Sequence, residues 1–286
     1  MNMKPDCLVC LFNQALRVSK AINCNERCAD EILQKIALEI SKLSVSQTPP
    51  EAAAILYPEI SQIVGKEDLY EEKKIESTNK AFEFIDFVKS EINNSPDKID
   101  AALRAAVAGN VIDFATEVMF DIDKEIEKIF HADFAIDDKK LFAQKLKTAK
   151  TLLIIGDNAG EHVFDKIMIE TIKDIYPDLE VYYAVRGKPI INDITTAEAK
   201  AIDLDKVCEI VDSGVDTPGF VYERANEKMK RLYDECDLIL AKGMGNFECM
   251  EDKKDKRLFF LFKVKCSVVA STIDKNIGDL ICLNNI

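Results

Sequence analysis

The sequence predicts an α/β protein, a three-layer α/β/α sandwich built on a mostly parallel sheet and preceded by an amino-terminal helical bundle region. Three observations carry that expectation. Apolar residues recur at helical spacing through residues 1 to about 150. From residue 151 short runs rich in Ile, Leu and Val alternate with helical patterns. Gly, Asn and Asp loops punctuate them, the alternation expected of parallel strands covered by helices on both faces. With 286 residues, 48% of them hydrophobic, the chain has material for a large core. The expected division is a helical region at 1–150 packed on the core and an α/β metal- and phosphate-binding domain at 151–286.

In the first half Leu8, Leu11, Phe12, Ala15 and Val18 mark one helix face, and Ile32, Ile36, Ile40 and Leu43 the next. Pro49-Pro50 and Asn94-Ser95-Pro96 break the pattern, each ahead of a new helix. Phe84, Ile85 and Val88 mark a further helix between those breaks. In the second half the strands fall at 151–156, 180–185, 207–211, 238–241, 258–262 and 267–270. A parallel sheet gathers its ligands beyond the carboxyl ends of its strands, so the residues just after each run are the candidate site.

Composition excludes several functions. A net charge of −13 argues against nucleic-acid backbones as partners, because phosphate neutralisation needs clustered Lys and Arg. No apolar stretch approaches the roughly 20 residues of a membrane span and no leader is visible, which gives the expectation of a soluble cytoplasmic protein without a membrane partner. The nine cysteines are then expected as reduced thiols. Cys7-x2-Cys10 and Cys24-x3-Cys28 have the spacing of a four-thiolate zinc site, and equally that of small buried residues on two helix seams. With only His131 and His162, a His-rich catalytic zinc site is excluded. The chain also lacks a P-loop, the Gly-x-Gly-x-x-Gly dinucleotide fingerprint and a Gly-x-Ser-x-Gly elbow.

The first strand exit is the richest. Asp157-Asn158-Ala159-Gly160-Glu161 follows the run 151–156 and precedes a helical pattern. Asp157 and Asn158 offer hard oxygens, and Asp193 after the next strand adds a second carboxylate. Two carboxylates, an amide oxygen and water suit Mg²⁺, Mn²⁺ or another octahedral divalent ion. Read by itself, the same stretch also serves as a helix cap and turn without a ligand. After the strand at 238–241, Lys242 is the expected phosphate contact, with Gly243 and Asn246 in a loop whose glycines let backbone approach a ligand. Ser213-Gly214 reads as an anion nest or as a plain surface loop. In the first half Asn110 and Asp113, three residues apart on one helix face, either point at the cleft or mark a packed helix crossing.

Taken together, these motifs resemble the metal-dependent damage-control phosphatase family, in particular its compact archaeal and bacterial branch with Cys-x-x-Cys near the start. The resemblance is carried by Arg104 with Gly109-Asn110-x-Ile112-Asp113, by Gly156 to Glu161, and by Arg186-Gly187-Lys188-Pro189-x-x-Asn192-Asp193. Ser213-Gly214 with Pro218-Gly219, Lys242 to Glu248 and Phe259 to Cys266 complete it. It implies a helical region on an α/β/α sandwich, a metal held by Asp157, Asn158 and Asp193, and Lys242 on the substrate phosphate with Arg186 or Lys188 assisting. It also implies Mg, Mn, Co or Ni as cofactor and a small phosphorylated metabolite, such as a sugar phosphate or a damaged phosphometabolite, as substrate.

The expected function is therefore divalent-metal-dependent hydrolysis of phosphate monoesters. Two other classes compete with it. One is S-adenosylmethionine-dependent carboxyl methyl transfer, which the Asp-Asn-Ala-Gly exit disfavours for lack of a glycine-rich turn. The other is a phosphometabolite-binding protein that turns nothing over.

Overall fold

A computed structural model describes residues 1–109 and 122–286. Asn110 and Asp113 lie outside the described residues. The amino-terminal part contains α1 (Pro5–Ala21), α2 (Glu26–Ile40), α3 (Pro49–Val64), α4 (Glu71–Phe82), α5 (Ile85–Asn94), α6 (Lys98–Ala108) and α7 (Ile122–His131). The alternating part follows as β1 (Phe134–Asp137), α8 (Lys139–Leu146), β2 (Thr151–Ile155), α9 (Glu161–Ile175), β3 (Glu180–Val185), α10 (Thr196–Ala201) and β4 (Glu209–Asp212). It closes with α11 (Glu227–Glu235), β5 (Leu238–Lys242), α12 (Gly243–Met250), β6 (Leu258–Lys263), α13 (Ser267–Ile273) and β7 (Leu280–Asn284). The predicted helix starts have local causes. Pro49 and Pro50 open α3 behind a Thr48–Glu51 capping box, in which each side chain satisfies the other residue's backbone N–H.

Seven strands form one sheet in the order β1-β7-β6-β5-β2-β3-β4. Only the β6–β7 pair is antiparallel; every other pair, β1 with β7 included, is parallel. From β2 the chain winds outward through β3 and β4, then returns to β5 on the other side of β2 and winds outward through β6. The β2–β5 boundary is thus a topological switch point, where a doubly wound sheet opens a crevice. One core cluster lies between the sheet and α6 and α9, and a second lies on the opposite face against α11 and α12. A third fills the interior of the α1–α2–α3 group.

Three expectations change. Residues 267–270 are not a strand but the start of α13: the Cys266 thiol caps Val269 N–H, and Val269 and Ala270 are buried. The sheet takes its last strand from 280–284 instead. Residues 134–137, within the stretch expected to be helical, form the edge strand β1, so the sheet begins before residue 151. Cys24 and Cys28 are joined in a disulfide where reduced thiols were expected. That bond engages two of the four thiols whose spacing also suits a zinc site, while Cys7 and Cys10 carry free thiols. No helix among the described residues is long and apolar enough to cross a membrane.

Candidate active site

The strand exits after β2 and β3 are stitched together by backbone. Asn158 and Asp193 form an isolated antiparallel bridge. Ala159 N–H donates to Asn192 O at 2.8 Å, and Ile194 N–H to Asp157 O at 3.0 Å. Those bonds place Asp157, Asn158 and Asp193 side by side, and all three line one cavity of about 360 Å³. Its floor is the switch-point crevice and its far wall comes from α1 and α3, through Leu11, Gln14, Pro50 and Tyr57. The helical region therefore roofs the sheet's carboxyl edge.

The three side chains are held by hydrogen bonds. Asn158 Nδ2 donates to Asp157 Oδ2 at 2.9 Å. Arg186, at 2% exposure, donates from Nε to Asp193 Oδ2 at 2.7 Å and from Nη2 to Asn246 Oδ1 at 3.2 Å. Burial, then the nearby Glu161 and Asp193 carboxylates, holds the Asp157 carboxyl well above the usual carboxylate range, with Arg186 and Lys265 opposing. Acids crowded this way carry a desolvation and a repulsion penalty that a divalent cation would relieve. Gly243 completes the cradle. Its φ is +77°, and a Cβ there would stand 1.9 Å from Asp157 Oδ2, so only glycine lets that carboxylate lie against the start of α12.

The residues present fit a hard divalent ion of partial protein coordination. Among the described residues no group of three or more His, Cys, Asp and Glu side chains is arranged to hold an ion. Two carboxylates and an amide oxygen, with water and substrate oxygens for the rest, match the way Mg²⁺ is usually held.

Several residues expected to touch substrate do other work. Lys242 is fully buried, and its ammonium donates to Glu161 Oε1, to Asp165 Oδ1 at 2.6 Å and to Ala106 O at 3.0 Å. Three donors thus meet three acceptors, and Lys242 does not line the cleft. Burial pulls its pKa down, but Asp165 and Glu161 outweigh that and raise it. Strand parity explains the direction, since Leu238 and Leu240 face the α6/α9 side and Lys242 continues that row.

Asn246 is a staple. Its amide donates to Lys242 O at 2.6 Å and Gly156 O at 3.2 Å, while its oxygen accepts from Phe220 N–H at 2.8 Å. Ser213 Oγ donates to Val185 O at 2.6 Å and accepts from Val215 N–H, tying β3 to β4 away from the cleft. Arg186 grips Asp193 from behind. Lys188 is exposed in a neighbouring cavity.

The cleft also holds groups that the motif reading left without a role. Lys265, just beyond β6, lines it and acts electrostatically on Asp157. Glu248 of α12 lines it too, and burial pushes its carboxyl up to about 7, against the opposing pull of the amino terminus. Arg17 of α1 stands at the outer wall. The signal for Lys265 was present, because the run 258–262 is a strand whose exit obeys the same logic as the others.

An α/β/α sandwich with paired acids and an amide at its switch point, under a helical roof, defines a doubly wound protein with a small-molecule site at its sheet's carboxyl edge. Residues 3–281 match the damage-control phosphatase ARMT1-like domain. The chain belongs to that family. It is 31% identical to a damage-control phosphatase of Pyrococcus horikoshii over 290 residues, covering 100% of this chain and 99% of that one. An uncharacterised protein of Methanocaldococcus jannaschii is 32% identical over 294 residues, with 99% and 95% of the two chains covered. The crystal structure of a DUF89 family protein from Pyrococcus horikoshii superposes with a TM-score of 0.91 at 31% identity, over 100% of both chains.

Proposed function

We propose that the protein is a divalent-metal-dependent phosphatase acting on phosphate monoesters of small metabolites. The observation that carries the reading is the Asn158–Asp193 backbone bridge, which brings the oxygens of Asp157, Asn158 and Asp193 to one cleft at the switch point. Family membership adds that two relatives matched over nearly their whole length are named damage-control phosphatases.

Asp157, Asn158 and Asp193 would hold the cation, which when bound supplies Lewis-acid polarisation of a phosphoryl oxygen. Lys265, in place of Lys242, offsets the charge of the phosphoryl group from across the cleft. Arg186 and Asn158 keep the two carboxylates in register, so little reorganisation is needed during the reaction. Glu248, which lines the same cleft and whose carboxyl burial pushes up to about 7, would donate a proton to the departing oxygen. The α1–α3 roof limits water and orients the leaving group.

The test crosses a panel of Mg²⁺, Mn²⁺, Co²⁺ and Ni²⁺ with a panel of phosphate monoesters on protein stripped by chelator, reading inorganic phosphate. Release that depends on the added ion and drops about a thousandfold or more in Asp157→Ala is the expected result, on the scale of losing the main electrostatic stabilisation. Release unaffected by chelator, or retained in Asp157→Ala, would refute it.

A further inference from the structure

Ile191 has φ +47°, in the left-handed region that a β-branched side chain rarely occupies. A residue held there costs on the order of 1–3 kcal/mol and persists only where its surroundings demand it, so such an outlier at a cleft directs attention to function. Ile191 is two positions before Asp193 and lines the candidate cleft. It also lines a second cavity of about 240 Å³ beneath α3, together with Ala54, Pro58 and Lys188.

Among the described residues, Tyr57 and Ile191 are the two that line both cavities. Tyr57 is anchored, since its hydroxyl donates to Gln14 Oε1 at 3.2 Å and its ring lies 6.5 Å from that of Tyr70. Ile191 is the other shared residue, and its aliphatic side chain has no such hydrogen-bonded anchor.

We propose that Ile191 is a specificity-determining residue: its side chain closes the catalytic cleft off from the second cavity and so limits the leaving group to a short one. This rests on the phosphatase reading above. The second cavity has no surplus of charge to attract a second anion. Lys188 and Glu67 balance in sign, Asp68 is paired with Lys74 at 2.7 Å, and Asp216 with Arg224 at 2.8 Å. Opened, it would admit an uncharged aryl or alkyl extension of the leaving group.

Ile191→Ala removes the partition, whereas Ile191→Asn relaxes the backbone, because Asn tolerates positive φ, yet keeps a side chain of similar reach. With Mn²⁺ present, kcat/KM would be measured for phenyl phosphate and biphenyl-4-yl phosphate. In Ile191→Ala the biphenyl-to-phenyl ratio should rise about tenfold or more, carried by KM, the scale on which a hydrophobic pocket discriminates one methylene. In Ile191→Asn the ratio should stay at the wild-type value. A disturbed fold would lower both substrates alike, so the ratio separates the two effects.

Calorimetric binding of biphenyl-4-yl phosphonate and phenyl phosphonate reads the partition without turnover. A selective gain for the larger phosphonate in Ile191→Ala supports it, and equal affinities in wild type and variant overturn it. Hydrolysis with an unchanged ratio also overturns the partition while leaving the phosphatase reading intact. Absence of hydrolysis by wild type counts against the phosphatase reading alone, since the phosphonates still decide the partition.

Discussion

Gly243 and Glu248 are the two residues of α12 on which the chemistry presses hardest. Gly243→Ala would drive a Cβ to 1.9 Å from Asp157 Oδ2 in a left-handed conformation, so the carboxylate must move. The expected outcome is a rise in the apparent dissociation constant for Mn²⁺ of about tenfold or more together with a loss of kcat, since displacement near 1 Å at a reacting centre costs about a hundredfold. In the proposed role of general acid, Glu248 would act only when protonated. Its carboxyl lies near 7, so kcat should fall as pH rises through about 7, and Glu248→Gln should lower kcat and remove that alkaline limb from the pH–rate profile. Much at this scale was legible. That Asp157 and Asn158 face the cleft was legible because acids and amides just after a buried strand gather at the sheet's carboxyl edge; Asp193, eight residues past β3, joins them only through the backbone bridge to Asn158. Arg186 and Asn246 were readable as polar residues of the site region but not in their roles, because what each bonds to depends on loops brought together from residues sixty positions apart.

Among the elements, the strand–helix pairs around β2 and β5 carry the site, and the Lys242 cluster locks them. Lys242 links β5 to Glu161 and Asp165 of α9 and to the α6 backbone, and Tyr183 of β3 donates to Asp165 at 2.6 Å. Burial raises the Asp165 carboxyl to about 6, with Glu161 adding to burial and Lys242 and Tyr183 opposing. Lys242→Met leaves two buried acids without their cation and should cost about 3–5 kcal/mol in urea unfolding, the scale for removing one partner of a buried pair. A variant as stable as wild type would return Lys242 to the list of ligand contacts. This arrangement was partly legible: residues 238, 240 and 242 share a strand face, and 161 and 165 share a helix face by their i,i+4 spacing. The strand β1 and the helix α13 were not legible, because four residues give too little periodicity to show alternation, and Ser-Val-Val-Ala is short, apolar and β-branched, which periodicity alone does not separate from a strand.

Across the whole molecule, stability should depend on pH through His162. The ring is buried, its Nδ1 accepts from Gly160 N–H at 3.1 Å, and burial lowers its pKa to about 4, with the Glu198 backbone opposing. The unfolded chain takes up that proton near the ordinary value of about 6.5, and the folded chain only near 4. Stability is therefore complete above about 6.5 and is lost as pH falls toward 4, by an amount on the order of 3 kcal/mol. Chemical unfolding of wild type and His162→Gln between those limits checks this, and the variant should show the shallower slope. At the same scale, the helical roof and the sheet edge become one unit through the cleft they share, so neither half presents a complete site. The most direct measurement is a titration with Mn²⁺ followed by the resonance signal of the free ion, on wild type and on Asp193→Ala. One equivalent bound by wild type, with affinity reduced about a hundredfold or more in the variant, is predicted from the loss of a direct carboxylate ligand; equal binding by both proteins would contradict the shared site at Asp157, Asn158 and Asp193.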